Sequence, residues 1–294
     1  MCLVYKVEII QQEQKGIFMK YFLFLLVFAA LAFANNDGCT EIGPGSSLQG
    51  SDDITLVLVN DWVLAEKALG LDIFDGMYIL GADNNLDIVQ AYDAATCAPL
   101  GSLPLSGANG SCFGVAWNND ATNDTYYTDD WAGSNLFFTD DFGSTWSTYP
   151  NPAGSSARGM DFDGTDYWTT NGNGGGLWRF QPGVGEENIA IPEVPSQPSG
   201  VTVYPYGSNV GVAVTAYGTL SIFFYEWDGA TLAFIGSDPC PASGVSSSYG
   251  LAYSEGNGNI YWSYNDGSNF HIAEFSFDLV SLEQTSWGAI KSSF

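Results

Sequence analysis

Basic side chains are nearly missing from this chain. Seven Lys and Arg stand against 33 Asp and Glu in 294 residues, a formal net charge of −26. Nucleic acid and anionic membrane surfaces are held by clustered Lys and Arg, so both are excluded as partners. There is one His, His271, which rules out multi-His metal centres and makes any His-based triad depend on a single residue. It alternates with Phe270 and Ile272 along a strand-like stretch and is assigned a structural role. Long stretches of helical periodicity are missing too. The apolar residues alternate in short runs broken by Gly, Asn and Asp, which points to strands and tight turns.

Long hydrophobic runs are also scarce. The clearest spans residues 19–34, MKYFLFLLVFAALAFA. Its Met-Lys start, its apolar centre and the closing Ala32-Phe33-Ala34 follow the pattern of a secretory signal peptide. The run is shorter than the ~20 apolar residues of a membrane span. Residues 1–34 are therefore set aside as an upstream extension plus signal peptide, with 35–52 as a linker and 53–294 as one domain. The expected location is secreted or cell-surface, in an extracellular or periplasmic space. Lys67, Arg158, Arg179 and Lys291 are the bases left after residue 34. Such an acidic surface attracts cations, calcium among them.

Cysteine is sparse. Beyond the signal peptide stand Cys39, Cys97, Cys112 and Cys240. Four Cys in a secreted chain suggest two disulfides out of three possible pairings. Cys97 and Cys112 flank one inter-repeat connection, which favours Cys97–Cys112 and leaves Cys39–Cys240.

What is present is Gly, 35 residues of it, and a recurring phrase: Gly, aliphatic, small or polar, large apolar. It stands at Gly70-Leu71-Asp72-Ile73, Gly114-Val115-Ala116-Trp117, Gly159-Met160-Asp161-Phe162, Gly200-Val201-Thr202-Val203 and Gly250-Leu251-Ala252-Tyr253, with spacings of 44, 45, 41 and 50 residues. The second and fourth residues share one strand face and the third lies on the other. Gly at the entrance serves a close approach or a positive φ. Two further strands follow each phrase, then a weaker, more polar fourth, with hairpin chemistry at Asp75-Gly76, Asp163-Gly164, Asp228-Gly229 and Asp266-Gly267. Four strands per unit at this period is the mark of a β-propeller blade. The expectation is an all-β propeller of five four-stranded blades. The apolar segment 54–64 closes the ring against the last blade and so covers a sheet edge. Six blades with a divergent first one is the alternative.

Thr139-Asp140-Asp141-Phe142-Gly143-Ser144-Thr145-Trp146 resembles the Asp-box hairpin, S/T-x-D-x-G-x-T/S-W, of sialidases and many other secreted bacterial propellers (the BNR-like repeat). The resemblance implies a turn between the third and fourth strands of a blade. Thr139, Asp141, Gly143 and Trp146 would then be structural: Asp141 bonding turn backbone, Gly143 permitting the turn, Trp146 packing between blades. It does not imply a sialidase, which holds its substrate's carboxylate with three Arg where Arg158 and Arg179 are the two Arg here. The stretches 159–167 and 70–78 resemble phrases in five-bladed glutaminyl cyclotransferases. That family's Phe-Thr-Gln-Gly-Leu phrase is replaced by Lys67-Ala68-Leu69-Gly70-Leu71.

Candidate sites follow from chemistry. Paired carboxylates near the axis suit a glycoside hydrolase, and Asp72 and Asp161 are the residues in that place, with Asp61 and Glu66 behind. Trp131, Trp168, Trp227 and Trp262 fall near strand ends or loops and offer flat faces for sugar rings. Asp120, Asn123 and Asp124 form an oxygen-rich loop suited to Ca²⁺, as do 83–87 and 161–166. No catalytic constellation rises above turn chemistry. The expected function is a monomeric, non-catalytic binding propeller with a polysaccharide or surface-protein ligand at one face of the ring. The alternatives are an extracellular hydrolase and a structural cell-surface or adhesion component.

Overall fold

A computed structural model describes residues 54–279 except 75, 106–110, 119–124, 130–132, 142 and 174–175. The first described strand is β1 (Ile54–Leu64), which belongs to the last sheet in chain order. The first sheet then runs β2 (Leu71–Phe74), β3 (Tyr78–Asp83), β4 (Ile88–Asp93) and β5 (Pro99–Pro104). The second is β6 (Cys112–Trp117), β7 (Thr125–Asp129), β8 (Asn135–Thr139) and β9 (Ser147–Pro150). The third is β10 (Ala157–Phe162), β11 (Tyr167–Asn171), β12 (Leu177–Gln181) and β13 (Gly185–Ile189). The fourth is β14 (Pro198–Tyr206), β15 (Asn209–Ala216), β16 (Ser221–Trp227) and β17 (Leu232–Pro239). The fifth contains β18 (Ser247–Tyr253), β19 (Ile260–Asn265) and β20 (Phe270–Leu279), and β1 completes it in the order β1-β20-β19-β18. The described residues thus form five four-stranded antiparallel sheets in a propeller, and a sixth does not occur among them.

Each gap between neighbouring sheets holds its own apolar core. Val89, Val115 and Phe137 fill the first-to-second gap, and Leu136, Met160 and Phe180 the second-to-third. Trp168, Val201 and Val214 fill the third-to-fourth gap, and Phe224, Leu251 and Phe275 the fourth-to-fifth. Leu71, Ile79, Tyr261 and Ile272 close the ring between the fifth and first. The second residue of every repeated phrase is therefore buried against the preceding sheet. The third faces the following one: Ala116 packs into the second-to-third core and Ala252 into the fifth-to-first. The outermost strands β5, β9, β13 and β17 are mostly exposed or half-buried, which accounts for their polar sequence.

The repeated Gly residues meet at the axis. A Cβ on Gly159 would lie 2.6 Å from Gly200 Cα, and one on Gly200 2.5 Å from Tyr249 O. A Cβ on Gly70 would run into the Phe113 carbonyl and Gly114, and one on Gly250 into the Leu69 carbonyl. Gly70 N donates to Phe113 O at 2.7 Å, joining two inner strands directly. None of the five has positive φ, so backbone proximity is the requirement. Register shifts span Gly114, Gly159, Gly200 and Gly250 in the pairing of their strands, so the Gly also sits in a bulge.

The strand β1 has the span expected from its sequence, and it pairs along its length with β20, from Ile54↔Leu279 to Leu64↔Phe270. Residues 1–53, including the signal-peptide and linker assignments and Cys39, lie outside the described residues.

Gly159→Ala, with no room between two backbones, is expected to lower stability by about 2–3 kcal/mol or to prevent folding. Gly185→Ala, at a position with open space around it, is expected to change stability by less than about 1 kcal/mol. Urea unfolding of the two variants is the check.

Candidate functional site

The two carboxylates singled out for catalysis sit in the gaps between sheets. Asp72 is buried and accepts from Ile73 N at 2.6 Å and from Trp117 N of the next sheet. Asp161 is buried and accepts from Phe162 N, from Thr202 Oγ1 and from Val203 N of the next sheet, each at 2.7 Å. In both cases the third residue of one phrase binds the backbone N–H of the fourth residue in the next. These are staples between inner strands. Burial drives both pKa values up. Asp72 rises well above the ordinary carboxyl range, with the neighbouring charge of Asp161 adding to the effect. Asp161 is pushed up to about 6 against the opposing pull of its three donors. A hydrolase acid must reach a glycosidic oxygen or a water, whereas these oxygens are turned onto protein backbone.

The start of each inner strand gives a different surface. Ala157 pairs with Asn171 and Thr170 with Leu177, so the inner strands begin at the same end of the ring as the turns between second and third strands. Arg158 is buried there, with its guanidinium 5.6 Å from the centre of the Phe113 ring and 5.4 Å from that of Tyr217. Gly172 lies against the guanidinium so closely that any Cβ would overlap it. Tyr217 and Tyr249 meet edge to face at 5.7 Å, and Tyr249 stacks on Phe270 at 5.5 Å. Tyr217 is 38 % exposed and Tyr249 and Phe270 are half-buried. Burial, helped by the Tyr217 hydroxyl, raises the Tyr249 pKa, so the phenol stays neutral. The arrangement offers aromatic faces and phenolic hydroxyls around one held cation. It is suited to binding.

This surface was not among the residues singled out from the sequence. The signal for it was the residue before each repeated Gly, which reads Leu69, Phe113, Arg158, Ser199 and Tyr249.

The Trp residues proposed for sugar stacking are corrected. Trp168, Trp227 and Trp262 are buried. Trp168 packs edge to face on Trp227 and gives its Nε1–H to Asp163 at 2.7 Å, while Trp262 stacks on Tyr264 and bonds Ser248 Oγ at 2.9 Å. Alternation places them in inter-sheet cores, where a sugar has no access. Trp131 lies outside the described residues, as do Asp120, Asn123 and Asp124.

The other two oxygen-rich loops spend their carboxylates on turns. Asp83 accepts from Asn85 N, Leu86 N and Lys67 N. Asp163 accepts from Thr165 N and Asp166 N, and Asp166 pairs with Arg179. The expected Cys97–Cys112 bridge is absent: no disulfide occurs among the described residues. Cys97 packs in the fifth-to-first core and Cys112 in the first-to-second, on opposite faces of the first sheet. Burial pushes the Cys97 and Cys240 thiols up to about 12, which makes both unreactive.

The 139–146 turn joins β8 to β9, third and fourth strands of their sheet. Thr139 Oγ1 donates to Asp141 Oδ1 at 2.7 Å and accepts from Gly143 N at 2.8 Å. Asp141 accepts from Thr145 N and Thr145 Oγ1, bonds that hold its pKa below the usual value. Gly143 has φ 81° and Trp146 packs on the first-to-second core.

No family model matches the chain, and no curated protein matches it. Solved structures are similar to it. The glutaminyl cyclase of Myxococcus xanthus has 14% identity and a TM-score of 0.58, covering 79% of this chain and 100% of that one. The PQQ-bound aldose sugar dehydrogenase of Streptomyces coelicolor has 11% identity and a TM-score of 0.52, covering 79% of this chain and 100% of that one. Fold and comparisons together define the class: a β-propeller. One neighbour is named a cyclase and the other a dehydrogenase, so at these identities the likeness establishes the fold alone.

The Asp161 staple has a pH signature. Its folded-state pKa of about 6 lies above the ordinary carboxyl value of 3.8. Its contribution is therefore full below pH 3.8 and is lost as pH rises to about 6. Asp161→Asn is expected to cost about 1–3 kcal/mol at pH 4, with the gap to the unaltered protein narrowing towards pH 6. Urea unfolding of both proteins across that range is the measurement. A gap that widens with pH would contradict the assignment.

Proposed function

We propose that this is a secreted, non-catalytic binding propeller that seats a carbohydrate on the ring end formed by Tyr217, Tyr249 and Phe270. The observation that carries the reading is that aromatic surface, partly open to solvent and gathered at the axis around Arg158. Sugars present C–H groups on one face and hydroxyls at the rim, and a Tyr offers a π face and a hydroxyl. Secretion rests on the 19–34 segment, and the 139–146 turn is of the Asp-box kind, a fold element in this reading. The protein acts as a monomer, and calcium is its expected ion. The hydrolase alternative is weakened because both axial carboxylates are engaged with backbone.

The test is retention on insoluble polysaccharides with calcium present, together with an assay for released sugar. Retention without release is expected, and Tyr217→Ala is expected to weaken it about tenfold, the order of one aromatic contact. Sugar release that Asp72→Asn abolishes would make the protein a hydrolase. No retention on any polysaccharide would overturn the carbohydrate reading in favour of a protein ligand or a structural surface role.

A further inference from the structure

The one His of the chain stands at the seam of the ring. His271 is buried on β20, directly paired with Val63 of β1. Both its ring nitrogens face carboxylates. Nδ1 is 3.0 Å from Asp61 Oδ1 on β1, and Nε2 is 3.2 Å from Asp266 Oδ2 in the β19–β20 turn. Tyr264 on β19 stacks on the imidazole at 4.5 Å. Its hydroxyl donates to Asp61 Oδ2 at 2.7 Å and also lies 3.1 Å from His271 Nδ1. Three further titratable groups stand by this seam. Glu274 on β20 accepts from the side-chain amide of Asn60 on β1 at 2.6 Å. The Cys240 thiol is kept neutral by burial, with a pKa pushed up to about 12 partly by the Asp61 charge. The Asp238 carboxylate accepts from Leu56 N near the start of β1 at 2.7 Å.

Hydrogen-bond capacity decides what this geometry allows. An imidazolium has two N–H donors and satisfies both carboxylates. A neutral ring has one donor and one lone pair. The two nitrogens differ in what else they can do. Nδ1 has a second partner, the Tyr264 hydroxyl, from which its lone pair can accept. Nε2 faces Asp266, whose other oxygen is fixed by Ser268 N and Asn269 N at 2.7 Å each. The neutral ring therefore keeps its proton on Nε2 and draws the Tyr264 hydroxyl to Nδ1. Asp61 then loses both the imidazole and the phenol. That carboxylate is the one on the closing strand.

We propose that His271 is a protonation-dependent latch on the seam of the propeller, holding β1 when cationic and loosening it when neutral. The latch acts on a strand joined to the rest of the ring through β20, through the Asp238 cap on Leu56 and through Ile54, Leu56 and Leu64 in the flanking cores. Its release frees the β1 edge without touching the axis.

The test is backbone hydrogen exchange of 54–64 in the full chain. It is corrected for the pH dependence of chemical exchange and referenced to β14, while ¹⁵N NMR follows the protonation of the imidazole itself. Exchange in β1 is expected to quicken about tenfold relative to β14 as the ring loses its proton, the scale of one charge-assisted hydrogen bond. In Asp266→Asn the amide keeps its oxygen on the turn and can donate to Nε2. The neutral ring can then hold Asp61 through Nδ1–H, and the pH dependence of β1 should vanish. Should that variant fail to fold, Tyr264→Phe removes the hydroxyl that competes for Nδ1, and the quickening should shrink. Protection of β1 that is unchanged across the ring's titration, or a quickening that persists undiminished in the folded variant, would overturn the proposal.

Discussion

The structure depends on the approach of five inner strands at the axis, a distance that tolerates hydrogen and no larger substituent at the repeated Gly. That contact sets the bulge, and the bulge leaves backbone groups out of the ladder. Hydroxyls on the second strands take them up. Thr215 accepts from Gly200 N and donates to Tyr249 O of the next sheet, each at 2.9 Å. Ser263 accepts from Gly250 N at 2.8 Å and donates to Leu69 O of the first sheet at 2.6 Å. Thr170 reaches Ser199 O of the next sheet at 3.0 Å. The third, fourth and fifth sheets are thus each tied to their successor by a short polar bridge where side chains have no room. The buried peptide groups stay satisfied as they must. Asp72 and Asp161 extend the same solution one step further along the strand.

This economy explains how so acidic a chain holds together. Its carboxylates are used as acceptors for backbone N–H groups far more often than as partners for bases. Asp83, Asp93, Asp163, Asp228 and Asp266 each fasten a turn in this way. Buried Glu274 uses neutral side chains in the same way: it takes the side-chain amides of Asn60, Asn257 and Asn259 and the hydroxyl of Tyr261. A carboxylate given that many donors has its charge spread over neutral dipoles, so a base is not needed beside it. The scarcity of Lys and Arg is then compatible with a well-ordered interior. It also makes the two Arg conspicuous, since both lie against aromatic rings.

The repeat was legible because its cause is local: only Gly fits at the axis, so Gly recurs once per sheet and the apolar residues after it mark the inner strand. The closing strand was legible because an apolar, β-branched run stood ahead of the first repeat. The destination of the third residue was harder. Alternation told that Asp72 and Asp161 face away from Leu71 and Met160, but not whether that face meets the channel or the next sheet. The presence of Ala at the same place in two repeats was the clue, since Ala116 and Ala252 are packed rather than exposed. The Trp residues misled for a related reason. Trp168 and Trp262 lie in second strands whose two faces are both covered by neighbouring sheets, so proximity to a turn in sequence says nothing of access. Nearness of Cys97 and Cys112 along the chain does not give nearness in space, because the first sheet stands between the two thiols. The aromatic ring end escaped because its members come from four different sheets, with Tyr217 and Phe270 joining from other repeat positions the residues that precede the repeated Gly.

Two ways of joining sheets coexist in this ring, and they differ in what can undo them. Around the axis the contacts are backbone to backbone, with hydroxyl bridges that do not titrate near neutrality and no space for rearrangement. At the seam, the backbone ladder of β1 and β20 is reinforced by side chains reaching across it: Asn60 to Glu274 at 2.6 Å and Asp61 to His271 and Tyr264. Apolar packing there is thinner, because β1 leaves Val57, Val59 and Val63 exposed. Polar cross-strand pairs fix the register of a strand that arrives from the other end of the chain, since a slip by one residue would set Asn60 and Asp61 against the wrong partners. The same pairs make the seam depend on charge state, as the Asp161 staple does nearer the axis. A propeller built this way has a centre packed backbone to backbone and, at its seam, a joint whose strength answers to the protonation of His271.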